Sequence, residues 1–465
     1  MGKMSLIVVV GFNIIFGLMG FNLSGVASHS YSNYTKYYSV EQAQFLAESG
    51  SNVAIGSLYQ NSGWLYGDST IHNHTLYYDS AHTQTLGTYS IQAKRTYPSG
   101  ATYVTFNIVS SYSSMTDSST IVCNIPSFSS FAMYTCNDGS SPWTGGDTCW
   151  GKLHSDSVLN LGELAIGSTP QAAVFNGSVS VGVSIDSSGV TNYNNSNSPK
   201  VHPQFKQGAP IMGVKLGWLN NFSAVTTTPG YDSSDFATTK ADVFVQLNSD
   251  GTIEVDTGAY KKYSDTTLAD TSWYHTQLVK KATISTFSNI GVVGIMNPNS
   301  NRNLHVRGTL NGKLTIANLG TGNIYIDSNV VYHDTTKDML GLVARDSMFV
   351  SYDSANVKGP VKIQAAILAQ TFAAENTNTA WGSTTIYGHA AIASTKQSIQ
   401  LFGALAQRNR GGVGNGNNGY AKSYKYDNRF AGGSNAAPSY PTLPYFQILS
   451  WYDRMNWNTN WWSNW

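Results

Sequence analysis

The chain has 465 residues, of which only 11% are Asp, Glu, Lys or Arg, and its formal net charge is +1. Such sparse and balanced charge argues against nucleic acid as a partner, because binding a phosphate backbone needs clustered cations. With 41% hydrophobic and 12% aromatic residues, the chain can bury a core, which argues against disorder. Ser, Thr, Asn, Gly and Tyr replace the missing charges, and this composition favours a mainly β fold.

The first predicted element is a long α-helix within residues 1–60. Met4–Phe21 is an uncharged apolar segment of 18 residues, and a helix of that length spans about 27 Å, close to one hydrocarbon core. The small residues of Gly25–Ser30 leave a cleaved secretory signal as the alternative. Beyond a short polar stretch, small and apolar residues at helical spacing predict an amphipathic continuation that can pack closely. They are Val40, Ala43, Ala47, Gly50, Ala54 and Leu58.

An apolar helix of membrane length followed by an amphipathic one resembles the start of type IV pilins, and AESG at Ala47–Gly50 resembles the PilX-like minor pilins. The resemblance implies processing between Gly2 and Lys3, residence in the inner membrane before assembly, and partners that are other pilin-like subunits or copies of the chain. The sequence departs from major pilins at the fifth position counted from Lys3, where Ile7 stands in place of an acidic residue. That acid neutralises a neighbouring terminal amine inside an apolar filament. Its loss is expected of a tip or initiating subunit, or of a protein that is only anchored.

Residues 61–300 are predicted to form an irregular β-rich domain, because alternating runs such as ATYVTFNIV and ADVFVQL are separated by Gly, Asn, Ser and Asp turns. The three cysteines, Cys123, Cys136 and Cys149, lie there without a CxxC pair, which argues against zinc. An odd count allows at most one internal disulfide. We expect it between Cys136 and Cys149 in an oxidising compartment, and three buried thiols are the alternative.

Two histidine-containing stretches are candidates for metal binding or catalysis. The segment WGKLHSDSVLNLG, which contains His154, and the later AAVFNGSVSVG resemble a stretch of PilX-like bacterial surface proteins. We interpret His154 as hydrogen-bonding a turn, because no second ligand lies at useful spacing, and a metal ligand or base is the alternative. His72 and His74 would share one face of a strand, with His82 nearby, but carboxylate support is thin. No metal and no other cofactor is expected.

Residues 301–410 are predicted to form a β-solenoid, also called a β-helix. Leu304, Leu314 and Ile324 recur at intervals of ten, each in a short alternating strand. The later segments VKIQAAILAQ, TTIYGHAAIAS and IQLFGALAQR share aliphatic residues around small Ala and Gly positions. Self-similar short strands of this kind predict stacked rungs. A large antiparallel sandwich is the alternative.

Residues 411–450 are rich in Gly, Tyr and Pro. The motifs LFGALAQRNRGGVG, GYAKSYKYDNRF and PTLPYF resemble those that follow such rungs in the same surface-protein family. A solenoid leaves its last rung with open backbone groups and an exposed core. We therefore predict a structural cap, in which rings cover apolar area, charged groups pair, and Pro441 and Pro444 stop further strand pairing; a binding site is the alternative. The cap residues are Arg410, Tyr420, Tyr424, Tyr426, Asp427 and Arg429, with Lys422 and Phe430 beside them.

Two other signals are not interpreted as chemistry. GNGNNG at Gly414–Gly419 matches a dinucleotide-binding pattern in its letters, but no helix pattern follows it. Five aspartates could serve as the acid and base of a polysaccharide-active enzyme. Their spacings of 7, 4, 8 and 7 do not match one rung length, so we interpret them as solvated turn residues. They are Asp327, Asp334, Asp338, Asp346 and Asp353.

Residues 451–465 form a Trp-rich tail that can stack on sugars, dock on a partner or fold back over the body. Its tryptophans are Trp451, Trp457, Trp461, Trp462 and Trp465. The sequence thus predicts a non-enzymatic bacterial cell-surface protein that resembles type IV pilus-associated minor pilins. It would be membrane-anchored or filament-incorporated and act in filament assembly, tip display or adhesion, with a glycan or surface ligand as a further partner. The alternatives are a homopolymeric extracellular filament subunit and a polysaccharide-active β-helix enzyme.

Overall fold

The structure is a computed structural model in which one long helix precedes a strand-rich body, and this confirms the predicted mainly β fold with an amino-terminal helix. The described residues form two compact units: unit 1 takes those within 2–96, 103–124 and 446–454, and unit 2 those within 125–443. The structure describes residues 2–60, 71–96, 103–139, 142–143, 147–162, 164–166, 169–189, 203–219, 222, 225, 231–232, 242–260, 273–283, 292–351, 359–375, 398–413, 420–431, 437–443 and 446–454.

Unit 1 consists of helix α1 and a five-stranded sheet. The helix α1 (Gly2–Gln60) has 59 residues and continues without a break through the polar stretch. Hydroxyl groups in that stretch donate back to helix carbonyls, as from Thr35 Oγ1 to the Tyr31 oxygen at 2.9 Å, so they do not interrupt the helix. All neighbouring strands of the sheet are antiparallel. In sheet order the strands, numbered along the chain, are β1 (Ile71–Tyr77), β2 (Thr85–Thr96), β3 (Tyr103–Tyr112), β4 (Met115–Asn124) and β29 (Gln447–Arg454).

The core of unit 1 lies between the second half of α1 and one face of the sheet. Strand β3 alternates between buried and more exposed side chains, as expected of a sheet with one covered face. Leu46 and Leu58 of the helix are buried together with Phe106 and Ile108 of that strand. The amphipathic face predicted from the sequence is therefore the face that packs.

Unit 2 contains the strands between β4 and β29, most of which pair in parallel. Antiparallel pairing joins β17 to β18, β18 to β19, and β9 to β10. The strands are β5 (Met133–Asn137), β6 (Thr148–Trp150), β7 (Leu153–Ser155), β8 (Leu159–Gly162), β9 (Leu164–Ile166), β10 (Thr169–Gln171), β11 (Val174–Phe175), β12 (Val179–Val181), β13 (Ile185–Gly189), β14 (Gln204–Phe205), β15 (Ile211–Met212), β16 (Tyr231–Asp232), β17 (Asp242–Leu247), β18 (Thr252–Tyr260), β19 (Trp273–Thr283), β20 (Val292–Ile295), β21 (Leu304–Leu310), β22 (Lys313–Asn318), β23 (Ile324–Tyr332), β24 (Met339–Ala344), β25 (Ser347–Val350), β26 (Val361–Ala374), β27 (Ser398–Asn409) and β28 (Ala421–Tyr426).

Parallel pairing places apolar side chains of successive strands beside one another. Leu304 of β21 pairs with Ile324 of β23, which pairs with Met348 of β25, and all three are buried. A second row runs through Val293, Ile316, Leu342, Ile367 and Leu405. Stacking of like apolar residues between strands about 4.8 Å apart builds a continuous core.

The strand order of this parallel ladder differs from the order along the chain. Strand β27 pairs with β26 and also with β5, and β28 pairs with both β27 and β6. The second edge of β28 is taken in part by β6, which comes from the start of unit 2, through the pairs Tyr424–Cys149 and Lys425–Trp150. Along these residues β28 is not an open edge, and a cap formed by residues 411–450 stays a prediction.

The two ends of unit 2 are bonded to each other. The Leu443 amide donates to the Pro126 carbonyl at 2.8 Å, and the Phe128 amide donates to the Pro441 carbonyl at 3.2 Å. Ser127 also forms an isolated bridge with Thr442. Unit 2 is thus an insertion between β4 and β29 whose entry and exit segments are adjacent.

Candidate functional site

The first half of α1 is an exposed apolar surface. Every large apolar side chain between Met4 and Val26 is at least half exposed, and Ile7, at the position where major pilins have an acid, is 70% exposed. The most apolar window of 18 residues has a mean hydropathy of 2.2 with none of it buried. By length and composition alone, this is the one helix among the described residues that could cross a membrane.

The second half of α1 packs closely on the sheet of unit 1. A Cβ atom built on Gly50 would lie 2.7 Å from Tyr89 Cδ2 and 2.9 Å from Ile108 Cγ2, which is closer than a side chain can sit. Ser110 Oγ donates to the Ala43 carbonyl at 2.6 Å. At the end of the helix, the Tyr59 hydroxyl donates to the Phe446 carbonyl at 3.0 Å. The exposed half is therefore the continuation of a helix that is fixed to unit 1.

Gly2 and Lys3 lie in the first turn of α1. Their backbone is helical, and cleavage between them stays a prediction. The exposed helix remains without Asp, Glu, Lys or Arg from Met4 to Thr35, and Lys36 is the first such residue. An uncharged exposed helix of this length suits a lipid bilayer or a bundle of like helices, since neither can solvate a lone charge.

The residues predicted to form the cap do pair, but largely with aspartates from the start of unit 2. Arg410 Nη1 lies 3.5 Å from Asp138 Oδ2, with both side chains buried, and Lys422 Nζ lies 3.4 Å from Asp147 Oδ2. The Asp138 pKa is raised, because its burial outweighs the nearby charge of Arg410. These two ion pairs therefore link residues near the end of unit 2, Arg410 and Lys422, to residues near its start, Asp138 and Asp147.

The remaining cap residues form a local cluster. Asp427 accepts hydrogen bonds from the backbone amide and the guanidinium of Arg429, with Nη2 at 2.6 Å from Oδ2. Tyr426 is buried and donates to the Ser129 carbonyl at 3.1 Å. Tyr420 is buried and Tyr424 packs against the core. Pro444, the second predicted stop to strand pairing, lies outside the described residues.

His154 is fully buried and hydrogen-bonds two side chains. Its Nδ1 lies 2.7 Å from Ser180 Oγ and its Nε2 lies 2.8 Å from Asp156 Oδ1. Asp156 also accepts from the backbone amides of Leu216 and Gly217, at 2.6 and 2.8 Å. The histidine thus acts on a turn through Asp156, in line with the interpretation from the sequence.

The Ser, His and Asp groups around His154 do not form a reactive site in the described residues. The ring has no solvent-exposed area, and the Tyr134 ring packs against it with centroids 5.2 Å apart. A nucleophile needs room for a substrate beside it, and Tyr134, Ser180 and Asp156 already contact the buried imidazole.

His72 and His74 lie on the edge strand β1, on one face as predicted. The His74 ring stacks on Tyr89, with centroids 5.1 Å apart, and His82 stacks on Tyr77 at 4.4 Å. Across the described part of the chain, no group of three His, Cys, Asp or Glu side chains could hold a metal ion.

Four of the five aspartates from the enzyme alternative accept hydrogen bonds that shape turns or strands, and the interpretation as solvated residues is wrong for Asp327 and Asp338, which are buried. Asp338 accepts from the Gly312 amide at 2.8 Å, and Asp334 accepts from the Thr336 amide at 2.8 Å. Asp327 pairs with His305 and Asp346 accepts from Ser347. Asp353 lies outside the described residues, as does the GNGNNG segment.

The three cysteines are thiols in this structure, so the predicted Cys136–Cys149 bridge is not formed in it. Burial raises the pKa of both Cys136 and Cys149 to about 12. The two residues lie on different strands, β5 and β6, which pair with β27 and β28 respectively. Cys123 and Cys149 are buried and Cys136 is half-buried, and a Cys136–Cys149 bridge in an oxidising compartment stays a prediction.

Trp451 is the one tail tryptophan within the described residues. It lies in β29 at the edge of the unit 1 sheet, is 38% exposed and donates from Nε1 to Asp453 at 2.8 Å. The side chains of Trp457, Trp461, Trp462 and Trp465 lie outside the described residues, so a shared adhesive surface stays a prediction.

Sequence reasoning missed a buried ion pair in unit 2. His305 Nδ1 lies 2.8 Å from Asp327 Oδ2, and its Nε2 lies 3.7 Å from Asp242 Oδ2. The His305 ring stacks between Phe244 and Tyr325, with centroids 4.6 and 5.0 Å away. No local signal links these residues, because they come from three strands brought together only by parallel pairing.

Comparison with known proteins adds only weak likeness. No family model matches the chain, and no curated protein matches it. Among solved structures, the competence-associated pilin ComZ from Thermus thermophilus is similar at 14% identity, with 90% of this chain and 97% of that chain covered and a TM-score of 0.28. A TM-score this low assigns neither a fold family nor a function to the chain.

Proposed function

We propose that the chain is a non-enzymatic structural subunit of the bacterial cell surface, of the type IV pilus-associated kind. The observation that carries the proposal is α1, whose first half is exposed, apolar and free of acidic and basic side chains from Met4 to Ser28, while its second half is packed on an antiparallel sheet. The exposed half would lie in the membrane first. It would then pack against other pilin-like subunits or copies of itself.

The parallel pairing of unit 2 supports a further part of this proposal. We infer that its stacked strands are rungs of a β-solenoid, as the sequence predicts, since apolar rows such as Leu304, Ile324 and Met348 continue from strand to strand. A regular parallel core needs no reactive groups to be useful. It supplies a stack of hydrogen-bonded strands around a continuous apolar core.

Charge placed in the exposed helix tests membrane insertion. Val10 and Ile14 lie one helical turn apart and are both at least half exposed. Replacing both, Val10→Arg with Ile14→Arg, adds two charges that each cost about 3 kcal/mol at the centre of a membrane helix. We expect the wild type to float with membrane vesicles in a density gradient and to resist carbonate extraction, and the double variant to do neither.

The matched control places the same two charges outside the apolar segment. Ser28→Arg with Ser32→Arg also spans one turn, at exposed positions, and should float like the wild type. If the Val10 and Ile14 variant floats and resists carbonate as the wild type does, the helix is not a membrane segment and the proposed anchoring is wrong.

A further inference from the structure

One outer face of unit 2 carries a large exposed aromatic side chain on a parallel ladder. The ladder consists of β26, β27, β28, β6, β11 and β14, in that order. Along β6, Cys149 is buried and points to the core, so the next residue, Trp150, points outward and is 56% exposed. An exposed tryptophan on regular strands is held in place by the ladder on both sides of it.

Register places Trp150 in a row with other outward residues. Phe402 pairs with Lys425, and Lys425 pairs with Trp150. On the far side, the Asn176 amide donates to the Cys149 carbonyl and the Lys206 amide donates to the Phe175 carbonyl, both at 2.9 Å, which continues the row by two strands. We call this row the Trp150 row; its members are Phe402, Lys425, Trp150, Asn176 and Lys206.

A second outward row, two residues earlier on each strand, is uncharged and polar except for Val174 of β11. Gln400 of β27 pairs with Ser423 of β28. Val174 of β11 pairs with Thr148 of β6 on one side and with Gln204 of β14 on the other. Gln400, Ser423 and Gln204 are exposed, and Thr148 is half-buried. Amides and hydroxyls are donors and acceptors at once, so they can match the hydroxyl groups of a sugar.

The charge of the face is positive. Within the described Trp150 row, Lys425 and Lys206 are exposed and no member is a carboxylate. The Lys425 Nζ lies 5.9 Å from the centroid of the half-buried Phe402 ring, so its ammonium group sits over the face rather than turned away from it. Because strands are about 4.8 Å apart, the two lysines are separated by three spacings, or roughly 14 Å.

The backbone around Trp150 leaves it little freedom. Gly151 follows it with a φ of +141°, and a Cβ atom there would lie 2.8 Å from the Ala132 Cβ and 2.9 Å from the Tyr426 Cβ. The chain therefore bends sharply just after Trp150, at a point packed against two other segments. A backbone held in this way loses little entropy on binding, and an aromatic residue has few side-chain torsions to order, which favours Trp150 as an anchor.

We propose that the Trp150 row and the polar row beside it bind an acidic polysaccharide that runs along the stacking direction of the strands. The rings of Trp150 and Phe402 offer apolar faces for sugar rings, and Lys425 and Lys206 pair with carboxylates of uronic acid residues. The polar row accepts and donates hydrogen bonds to the hydroxyl groups. This surface lies in unit 2 and is independent of membrane insertion by α1.

The test is a calorimetric titration of the full-length protein in detergent with oligogalacturonate, alginate and hyaluronate oligosaccharides. We expect saturable binding of at least one of them that weakens as salt is raised. Trp150→Ala should weaken it at least tenfold, and Lys425→Ala with Lys206→Ala at least fivefold with loss of most of the salt dependence. Methyl-esterified oligogalacturonate, which lacks the charge, should bind more weakly than the free acid.

Matched variants keep the result specific. Tyr452→Ala removes an exposed aromatic residue of unit 1 and Lys313→Ala an exposed lysine of unit 2 away from the row, and both should bind like the wild type. The proposal is overturned if none of the three acidic oligosaccharides binds, or if Trp150→Ala binds as the wild type does. Self-association that is lost in Trp150→Ala, without sugar binding, would assign this face to contact between copies instead.

Discussion

His305 illustrates how a single buried residue links strands that are distant in the sequence. Burial by itself favours its neutral ring, but the negative charge of Asp327 and the contacts with Asp327 and Asp242 outweigh burial and raise the His305 pKa to about 9. The same pairing lowers the pKa of Asp242, despite the burial of that carboxyl. The protonated ring is therefore the form that the folded strands stabilise.

The pH dependence of stability follows from this pKa. Below about pH 6.5 the ring is protonated in both the folded and the unfolded chain, so the contribution, roughly 3 kcal/mol, is fully present. It is lost as the pH rises through about 9, where the folded protein releases the proton. We expect the melting temperature of unit 2 to fall between pH 6.5 and 9.5.

A variant isolates the histidine from other groups that titrate in this range. His305→Gln should be less stable than the wild type at pH 6.5 and should flatten the profile, whereas His333→Gln, at an exposed position of the same unit, should leave the profile unchanged. Parallel profiles for His305→Gln and the wild type would contradict the role assigned to the ion pair.

At the scale of elements, α1 shows what sequence periodicity can and cannot predict. The spacing of Ala43, Ala47, Ala54 and Leu58 predicted the packed face correctly, because side chains three and four positions apart share one side of a helix. The periodicity does not indicate which strands pack against this face of the helix. The sheet against it includes β29 from the far end of the chain, and no local pattern predicts that pairing.

Two glycines in α1 make a matched pair for testing this packing. A Cβ at Gly50 meets Tyr89 and Ile108, whereas at Gly56 it meets nothing within 4 Å. Gly50→Ala should destabilise unit 1 by about 1–3 kcal/mol through overpacking, and Gly56→Ala should stabilise it by up to about 1 kcal/mol through helix propensity. Amide hydrogen exchange in β2 and β3 measures both effects, and equal protection in the two variants would contradict the observed contact.

At the scale of the whole molecule, the organising feature is an insertion. Unit 1 is made from the two ends of the chain, and unit 2 lies in the sequence between β4 and β29. The parallel ladder of unit 2 likewise joins segments from its own start and end, as β28 pairs with β6. Both features are long-range pairings, which the local pattern of a sequence does not indicate.

The insertion predicts that unit 1 can fold without unit 2. Because the Leu443 amide and the Pro126 carbonyl are 2.8 Å apart, a short Gly-Ser linker can replace residues 127–442. The shorter connection between β4 and β29 also costs less closure entropy. We expect the shortened chain to keep a helix and sheet by circular dichroism and to unfold cooperatively in detergent. A chain without cooperative unfolding would show that the two units depend on each other.

By itself, the sequence determined the class of the fold, the long apolar helix, its packing face and the low charge of the body. These features depend on composition and on periodicities of two and 3.6 residues, which are local. Only the tertiary structure decided which strands are neighbours: β29 beside β4, β28 beside β6, and His305 beside Asp242 and Asp327. Which strands pair depends on the free energy of the whole core, so two paired strands can lie far apart in the chain. A local sequence pattern therefore does not predict the partner of a strand.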